Sequence, residues 1–331
     1  MRQLFKLTVL LTIMILMGAS WMWRFAGSPL TIAESPHVFV VKPGSNIRTV
    51  SRQLTEERVL TEPWTFMIMA RLTGRASDLK AGNYQISSGV TSFQLFDMIT
   101  SGDVSQIGIT FIEGWTFLQM REELNRHEGI QHFSMGLSDE EIMQRIGAAE
   151  RFPEGLFFPD TYYFSSGMTD LDILKRAYQA MQQKLASAWS KRDRNLPYKI
   201  PYDALIMASI VEKETGKSEE RPLIARLFLD RLRTGMRLQT DPSVIYGLGE
   251  YFDGNLRKKD LLDDTPYNTY TRGGLPPTPI SNPGLGAIEA ALNPAPSQGY
   301  LYFVGKGDGS HAFSRTLVEH NRAVARYQLR K

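Results

Sequence analysis

The chain has 331 residues, enough for about two domains, and its 42% hydrophobic to 22% charged residues mark a globular protein rather than a disordered one. The formal charge of +3 is small, and no stripe of Lys and Arg interleaved with aromatic rings stands out, so no nucleic-acid partner is expected. There is no cysteine, which excludes disulfides, thiolate metal sites and a cysteine nucleophile.

The first element is an uncharged run, Leu7 to Trp23, with Arg2 and Lys6 ahead of it and Arg24 behind it. Its length lies at the short end of what crosses a bilayer. Trp21 and Trp23 fall where an aromatic belt sits, and the cations ahead of the run place the N-terminus in the cytoplasm. A cleaved signal peptide competes with this reading. However, Met17-Gly18-Ala19 puts a bulky residue where a small one is needed, and no cysteine is available for lipidation. Residues 1–26 are therefore expected to form a cytoplasmic tip and an uncleaved transmembrane signal anchor. Residues 27–37, polar and with two prolines, read as a linker.

Next come an apolar β-branched run, a Pro-Gly turn, and a helix capped by Ser45 or Asn46 with Ile47, Val50 and Leu54 on one face. A second apolar helix covers Trp64 to Leu72, "KAGNYQI" alternates as a strand does, and "TSFQLFDMITSG" reads as a capped helix ending at Gly102. The segment "VKPGSNIRTVSRQL" resembles the opening of a LysM module, a small βααβ unit that in many proteins grips N-acetylglucosamine. Residues 38–104 are expected to be such a subdomain, either holding glycan or serving only as a packing module.

The remainder, 105–331, reads as a larger mixed α/β domain. Phe152 to Phe164, "FPEGLFFPDTYYF", is dense in aromatics and includes Glu154 and Asp160; such a cluster is either a glycan-stacking wall or, more often, core. A long amphipathic helix follows from Asp170 to Trp189. Asp203 to Thr215 forms the next helix, stopped by Gly216. In it Met207, Ile210, Val211 and Glu214 share one stripe at i, i+3, i+4 and i+7, whereas Glu212 points the other way, toward water. A carboxyl on an apolar stripe must be paired, protonated, or at the edge of a cleft. Burial raises its pKa, which lets a glutamic acid keep a proton to donate near neutral pH. The structural alternative is a Glu214 bonded to Arg221, Arg226 or Arg231.

After another amphipathic helix, stopped near Gly235, an extended polar segment holds Gln239, Thr240 and Asp241, followed by Tyr246. A long loop then carries Asn268, Tyr270, Pro276, Pro277, Ser281 and Asn282. Amides, hydroxyls and aromatic rings are what sugar sites use for hydrogen bonding and stacking, and long irregular loops inside compact domains are often functional. A strand, a Gly-rich turn and a helix close the domain.

The stretches "MASIVEKET", "RLRTGMRLQTDPSVIYG", "PYNTYTRGGLPPTPISNPG" and "LYFVGKGDGSHAFSRTLVEHN" closely resemble the endolytic murein transglycosylase (YceG-like) family. The resemblance spans nearly the whole chain. It implies an α+β protein of the inner membrane, single-pass, with a periplasmic C-terminal domain whose active-site helix carries the catalytic Glu214. It implies cleavage of nascent peptidoglycan strands from within, at the bond between N-acetylmuramic acid and N-acetylglucosamine, with Gln239, Asp241, Tyr246, Asn268 and Tyr270 lining the cleft. The histidines are too scattered to suggest a metal site, and no cofactor is expected. Contacts with cell-wall synthases follow only from location beside the machinery that makes glycan. Two alternatives stay open: a lysozyme-like hydrolase with Asp241 or Asp160 as second carboxylate, and a non-catalytic glycan-binding scaffold.

Overall fold

The apolar N-terminal run forms α1 (Arg2–Gly27), a helix with no proline to break it. Within it Phe5–Gly27 is long and apolar enough to cross a membrane, with mean hydropathy 1.7 and no buried residue in its 18-residue apolar window. The structure is a computed structural model that describes residues 2–32, 35–102, 107–148, 152–164 and 168–329. Ala33 and Glu34 of the expected linker and 103–106 at the expected domain border lie outside these residues. The chain divides into two compact units after Gly108, with Tyr163–Met168 returning to the first.

The first unit continues from α1 through β1 (His37–Val41), α2 (Ile47–Glu56), α3 (Pro63–Leu72), β2 (Gly82–Ile86) and α4 (Ser92–Ser101). The Asn46 side chain accepts from the Thr49 amide at 3.0 Å and starts α2, which buries Ile47, Val50, Ser51 and Leu54. Pro63 sits in the first turn of α3, where its missing N–H costs nothing. Strands β1 and β2 pair antiparallel with Phe39 opposite Tyr84, and the two rings stack at 5.6 Å. Phe66 and Phe96 meet edge to face at 5.9 Å in the same core. The expected linker is not free: Leu30 donates its amide to the Val90 carbonyl at 2.8 Å, and Leu30 and Ile32 pack against this core. Two apolar side chains in a polar stretch are enough to dock it.

The second unit is mostly helical. Strands β3 (Ile107–Thr110) and β4 (Thr161–Phe164) pair with each other where the chain crosses the division between the units, and between them in sequence lie α5 (Phe117–Arg126) and α6 (Asp139–Ile146). Then follow α7 (Asp170–Ser190), α8 (Pro201–Glu214), α9 (Arg221–Arg233), α10 (Asp241–Leu248), α11 (Lys258–Leu262) and α12 (Leu285–Leu292). The hairpin β5 (Tyr302–Gly305) and β6 (His311–Ser314) and the helix α13 (Leu317–Tyr327) close the chain. Reciprocal side-chain caps, such as Thr116 with Gln119 and Thr169 with Asp172, satisfy amides that helix starts leave open. Helix α8 is the centre of the unit, packed by α7, α9, α10 and α12.

The aromatic stretch that runs into β4 is mostly core: Leu156, Phe157, Phe158, Tyr162 and Phe164 are buried, while Phe152 and Tyr163 stay exposed. Glu154 is buried among them, accepting the Phe117 amide at 3.1 and 3.3 Å and the Asn282 side-chain amide at 3.3 Å. Burial pushes its carboxyl up to about 8, against smaller lowering from the Phe117 amide and the Tyr246 hydroxyl. Folding therefore takes up a proton between the unfolded value near 4.5 and about 8, so stability falls as pH rises across that window. Between pH 5 and 8 the loss is expected to be on the order of 3 kcal/mol. Melting curves of Glu154→Gln should show a flatter pH slope; an unchanged slope would place the proton elsewhere.

Candidate active site

Glu214 is the last residue of α8, where the helix runs out of the interior, and Thr215 follows in extended conformation. Its carboxyl opens onto a cavity of about 420 Å³ whose walls include Arg231, Gln239, Asp241, Tyr270, Tyr302 and His320. Glu214 Oε2 accepts a hydrogen bond from Thr240 Oγ1 at 3.1 Å. Burial raises the carboxyl to about 7; the Asp241 charge adds to the rise, while Thr240 and Arg231 oppose it. Among the described residues Glu214 makes no ion pair. Arg231 is itself buried, but its Nε donates to the Leu301 carbonyl at 2.7 Å and its Nη1 to that of Leu238. That arginine tempers the site by its charge and does not seal it.

Two loops build the wall beside Glu214. Gln239 has a left-handed φ of 51°, a conformation that non-glycine residues keep only when their surroundings hold them. Its amide donates to the Thr269 carbonyl at 3.1 Å. The Thr240 amide donates to Thr269 Oγ1 at 3.0 Å, and Ser243 Oγ lies 2.9 Å from that same oxygen. The Tyr270 hydroxyl closes the join by donating to Asp241 Oδ1 at 2.5 Å. Burial and then the Asp241 carboxylate raise the Tyr270 pKa, so the phenol keeps its proton.

Gln239, Asp241 and Tyr270 thus meet Glu214 in one cavity, whereas Asn268 and Tyr246 do not line it. Asn268 has no exposed surface; its amide donates to the carbonyls of Asp260 and Asp263, and its Oδ1 accepts the Tyr270 amide at 2.9 Å. It shapes the loop that presents Tyr270. Tyr246 packs edge to face on Tyr267 at 4.9 Å and hydrogen-bonds to Glu154. Ser281 and Asn282, expected among the sugar-binding groups, are fully buried. Ser281 Oγ donates to the Ser209 carbonyl at 3.2 Å, and Asn282 accepts the Phe157 amide at 3.0 Å. A long loop rich in amides suggests a ligand-facing surface, but much of its polarity satisfies buried backbone groups instead. Asp160 is not part of the cavity; its carboxylate accepts the Thr161 amide at 2.8 Å.

Glu212 reverses its expected exposure. Its side chain is only 5% exposed and pairs with Arg221 Nη2 at 2.8 Å, while Oε2 accepts the Gly284 amide at 2.9 Å. Helix α8 has no watery side from Ala204 to Val211, so the polar face inferred from periodicity does not exist there. Of the three arginines expected as structural partners for Glu214, Arg221 serves Glu212 instead, Arg226 pairs with Asp230, and Arg231 is held by backbone carbonyls.

Sequence reasoning names Arg231 only as a structural partner for Glu214, and it misses Tyr302 and the face of α13 that carries Leu317, His320 and Val324 into the cavity. His320 stacks on Tyr302 at 5.5 Å; burial and then Arg231 lower its pKa, keeping it neutral. Its position at i+3 from Leu317 and i−4 from Val324 places it in an apolar stripe, the same signal that marked Glu214.

A family model for the YceG-like family matches residues 39–326. The chain belongs to the YceG-like family. It is 32% identical over 309 residues to a protein of Bacillus subtilis (strain 168) named endolytic murein transglycosylase, an alignment covering 87% of this chain and 83% of that one. A protein of the same name from Streptococcus pneumoniae serotype 2 is 26% identical over 335 residues; the match covers 90% of this chain but 60% of the pneumococcal one. The fold is similar to the crystal structure of a YceG-like protein from Listeria monocytogenes, with a TM-score of 0.54, 30% identity, and coverage of 87% of this chain and 99% of that one. This YceG-like chain therefore presents a partly dry glutamic acid at a helix end, on a polar cleft open to a ligand.

Proposed function

We propose that this chain is a membrane-anchored lytic transglycosylase that cuts peptidoglycan strands from within, with Glu214 as its acid and base. Residues Phe5–Gly27 would span the inner membrane and place the rest in the periplasm. The strand-helix-helix-strand order of β1, α2, α3 and β2 is compatible with a LysM-like module beside it. The observation that carries the reading is the Glu214 carboxyl, raised to about 7 in a cavity shared with Gln239, Asp241 and Tyr270.

In the first step Glu214, protonated, gives its proton to the oxygen linking N-acetylmuramic acid to N-acetylglucosamine as the bond to C1 breaks. Nearby dipoles, or the substrate's own N-acetyl group, stabilise the oxocarbenium-like transition state. Glu214, now ionised, then accepts the proton of the muramoyl C6 hydroxyl as that oxygen bonds to C1. The product is a 1,6-anhydro end, no water is consumed, and the carboxyl is returned to its starting state.

Asp241 lies in the same cavity, so a hydrolytic route with it as second carboxylate is the alternative to be tested. Mass spectrometry of glycan digested by the purified protein separates them: anhydro ends are expected, and reducing ends would replace the proposal with hydrolysis. A protein that binds sacculi and cuts nothing would be a scaffold. Losing the Tyr270 hydroxyl leaves Asp241 without its donor, so Tyr270→Phe is expected to lower kcat/KM about tenfold, or about 1.4 kcal/mol. Wild-type kcat/KM in that variant would remove Tyr270 from the site.

A further inference from the structure

Helix α3 has two apolar faces. One, with Phe66, Met69 and Ala70, is buried in the core of the first unit. The other carries Trp64, Ile68 and Leu72 at i, i+4 and i+8, and these are 46%, 38% and 72% exposed. Phe93, in the first turn of α4, is also exposed. Large apolar side chains at such spacing mark a surface that meets something other than water.

The end of α1 indicates what that is. Trp21 stacks on Trp64 with ring centroids 5.1 Å apart and planes at 15°, and Met22, Phe25 and Ala26 pack against the same core. The candidate span is therefore docked along α3 and α4 over its last turns rather than trailing from them on a loose tether. Trp21 precedes the end of α1 at Gly27 by about 9 Å of helix rise. A bilayer that surrounds α1 up to its Trp21 and Trp23 belt must then reach the start of α3 as well.

We propose that the outer face of α3, together with Phe93, is a membrane-binding surface that lies in the outer leaflet of the bilayer that α1 crosses. Trp64, Ile68 and Leu72 enter the boundary between headgroups and acyl chains, about 5–10 Å deep. Trp21 and Trp64 form one aromatic belt made from two helices. The role of this surface is to hold the first unit flat on the membrane at a fixed angle to its anchor. It rests on the anchoring reading above.

The absence of cysteine makes the test direct, because one introduced cysteine takes a single nitroxide. Full-length Met14→Cys, Leu72→Cys and Phe93→Cys, reconstituted in phosphatidylethanolamine–phosphatidylglycerol vesicles, are read by collision with oxygen and with a water-soluble nickel chelate. Expected are a deep label at 14 and labels at 72 and 93 about 5–10 Å below the phosphates. Labels at 72 and 93 open to nickel, with 14 still deep, would overturn the surface and leave the anchor standing. Nickel access at 14 would overturn both. Dipolar broadening at 72 that disappears on dilution with unlabelled protein would assign the stripe to a second copy of the chain, against the proposal.

Discussion

Glu214→Gln is expected to lower the rate of glycan cleavage by about 10³-fold, within the range that a positioned acid and base supplies. The substitution keeps the side-chain shape and still offers Thr240 Oγ1 an oxygen to donate to, so the cleft should keep its form. What is lost is the transferable proton. Because burial and Asp241 lift the carboxyl to about 7, the wild-type enzyme should hold its acid below that pH and lose it above. The expected profile of kcat/KM is a fall of about tenfold per pH unit on the alkaline side of 7. Stability runs in the same direction as activity. A raised folded pKa means that folding takes up a proton, so stability present below about 4.5 is lost as pH rises toward 7. Gln has no such cost, and Glu214→Gln should melt at or above the wild-type temperature at pH 8. Wild-type cleavage by the variant, or a limb unmoved from that of an ordinary solvated glutamate, would remove Glu214 from the chemistry.

The parts of the fold legible in the sequence are those with local causes. Asn46 as a cap, Gly102 with its φ of 80° and the proline-free run of α1 each act within a turn of where they are read. Three of the five expected cleft residues meet Glu214 because Gln239 and Asp241 flank a helix start and Tyr270 lies on the loop zipped to it. Asn268 departs from the expectation because an amide gives no hint whether it will serve a sugar or two backbone carbonyls; only the loop's return on itself decides that. The α8 stripe failed for a different reason. Periodicity separates faces when one of them meets water, and α8 is enclosed by four helices, α7, α9, α10 and α12. The contrast drawn between Glu212 and Glu214 thus lacked its physical basis, although the cavity does lie at Glu214.

The same pair of glutamates gives the second large effect, and it falls on the fold. Arg221→Ala is expected to cost about 3–5 kcal/mol, because removing one partner leaves a buried charge uncompensated. Glu212 is 5% exposed and Arg221 13% exposed, so little water can replace the lost guanidinium. The Gly284 amide would then be the carboxylate's remaining hydrogen-bond donor, with Lys213 as a weaker attracting charge and Glu113 as a repelling one. At about 2–4 °C per kcal/mol, the melting temperature should fall by roughly 6–20 °C. Burial already raises the Glu212 pKa and Arg221 opposes that rise. Without the arginine the carboxyl climbs further and can escape the penalty by taking a proton, so the loss should be larger at pH 8 than at pH 5. The folded fraction of Arg221→Ala should still cleave glycan within a few-fold of wild type, whereas Glu214→Gln should fold and not cleave. Two carboxylates one residue apart would then fail in opposite ways, since α8 carries one into the interior against an arginine and the other out to a cleft. If instead Arg221→Ala melted like the wild type and abolished cleavage, the roles assigned to Glu212 and Glu214 would have to be exchanged.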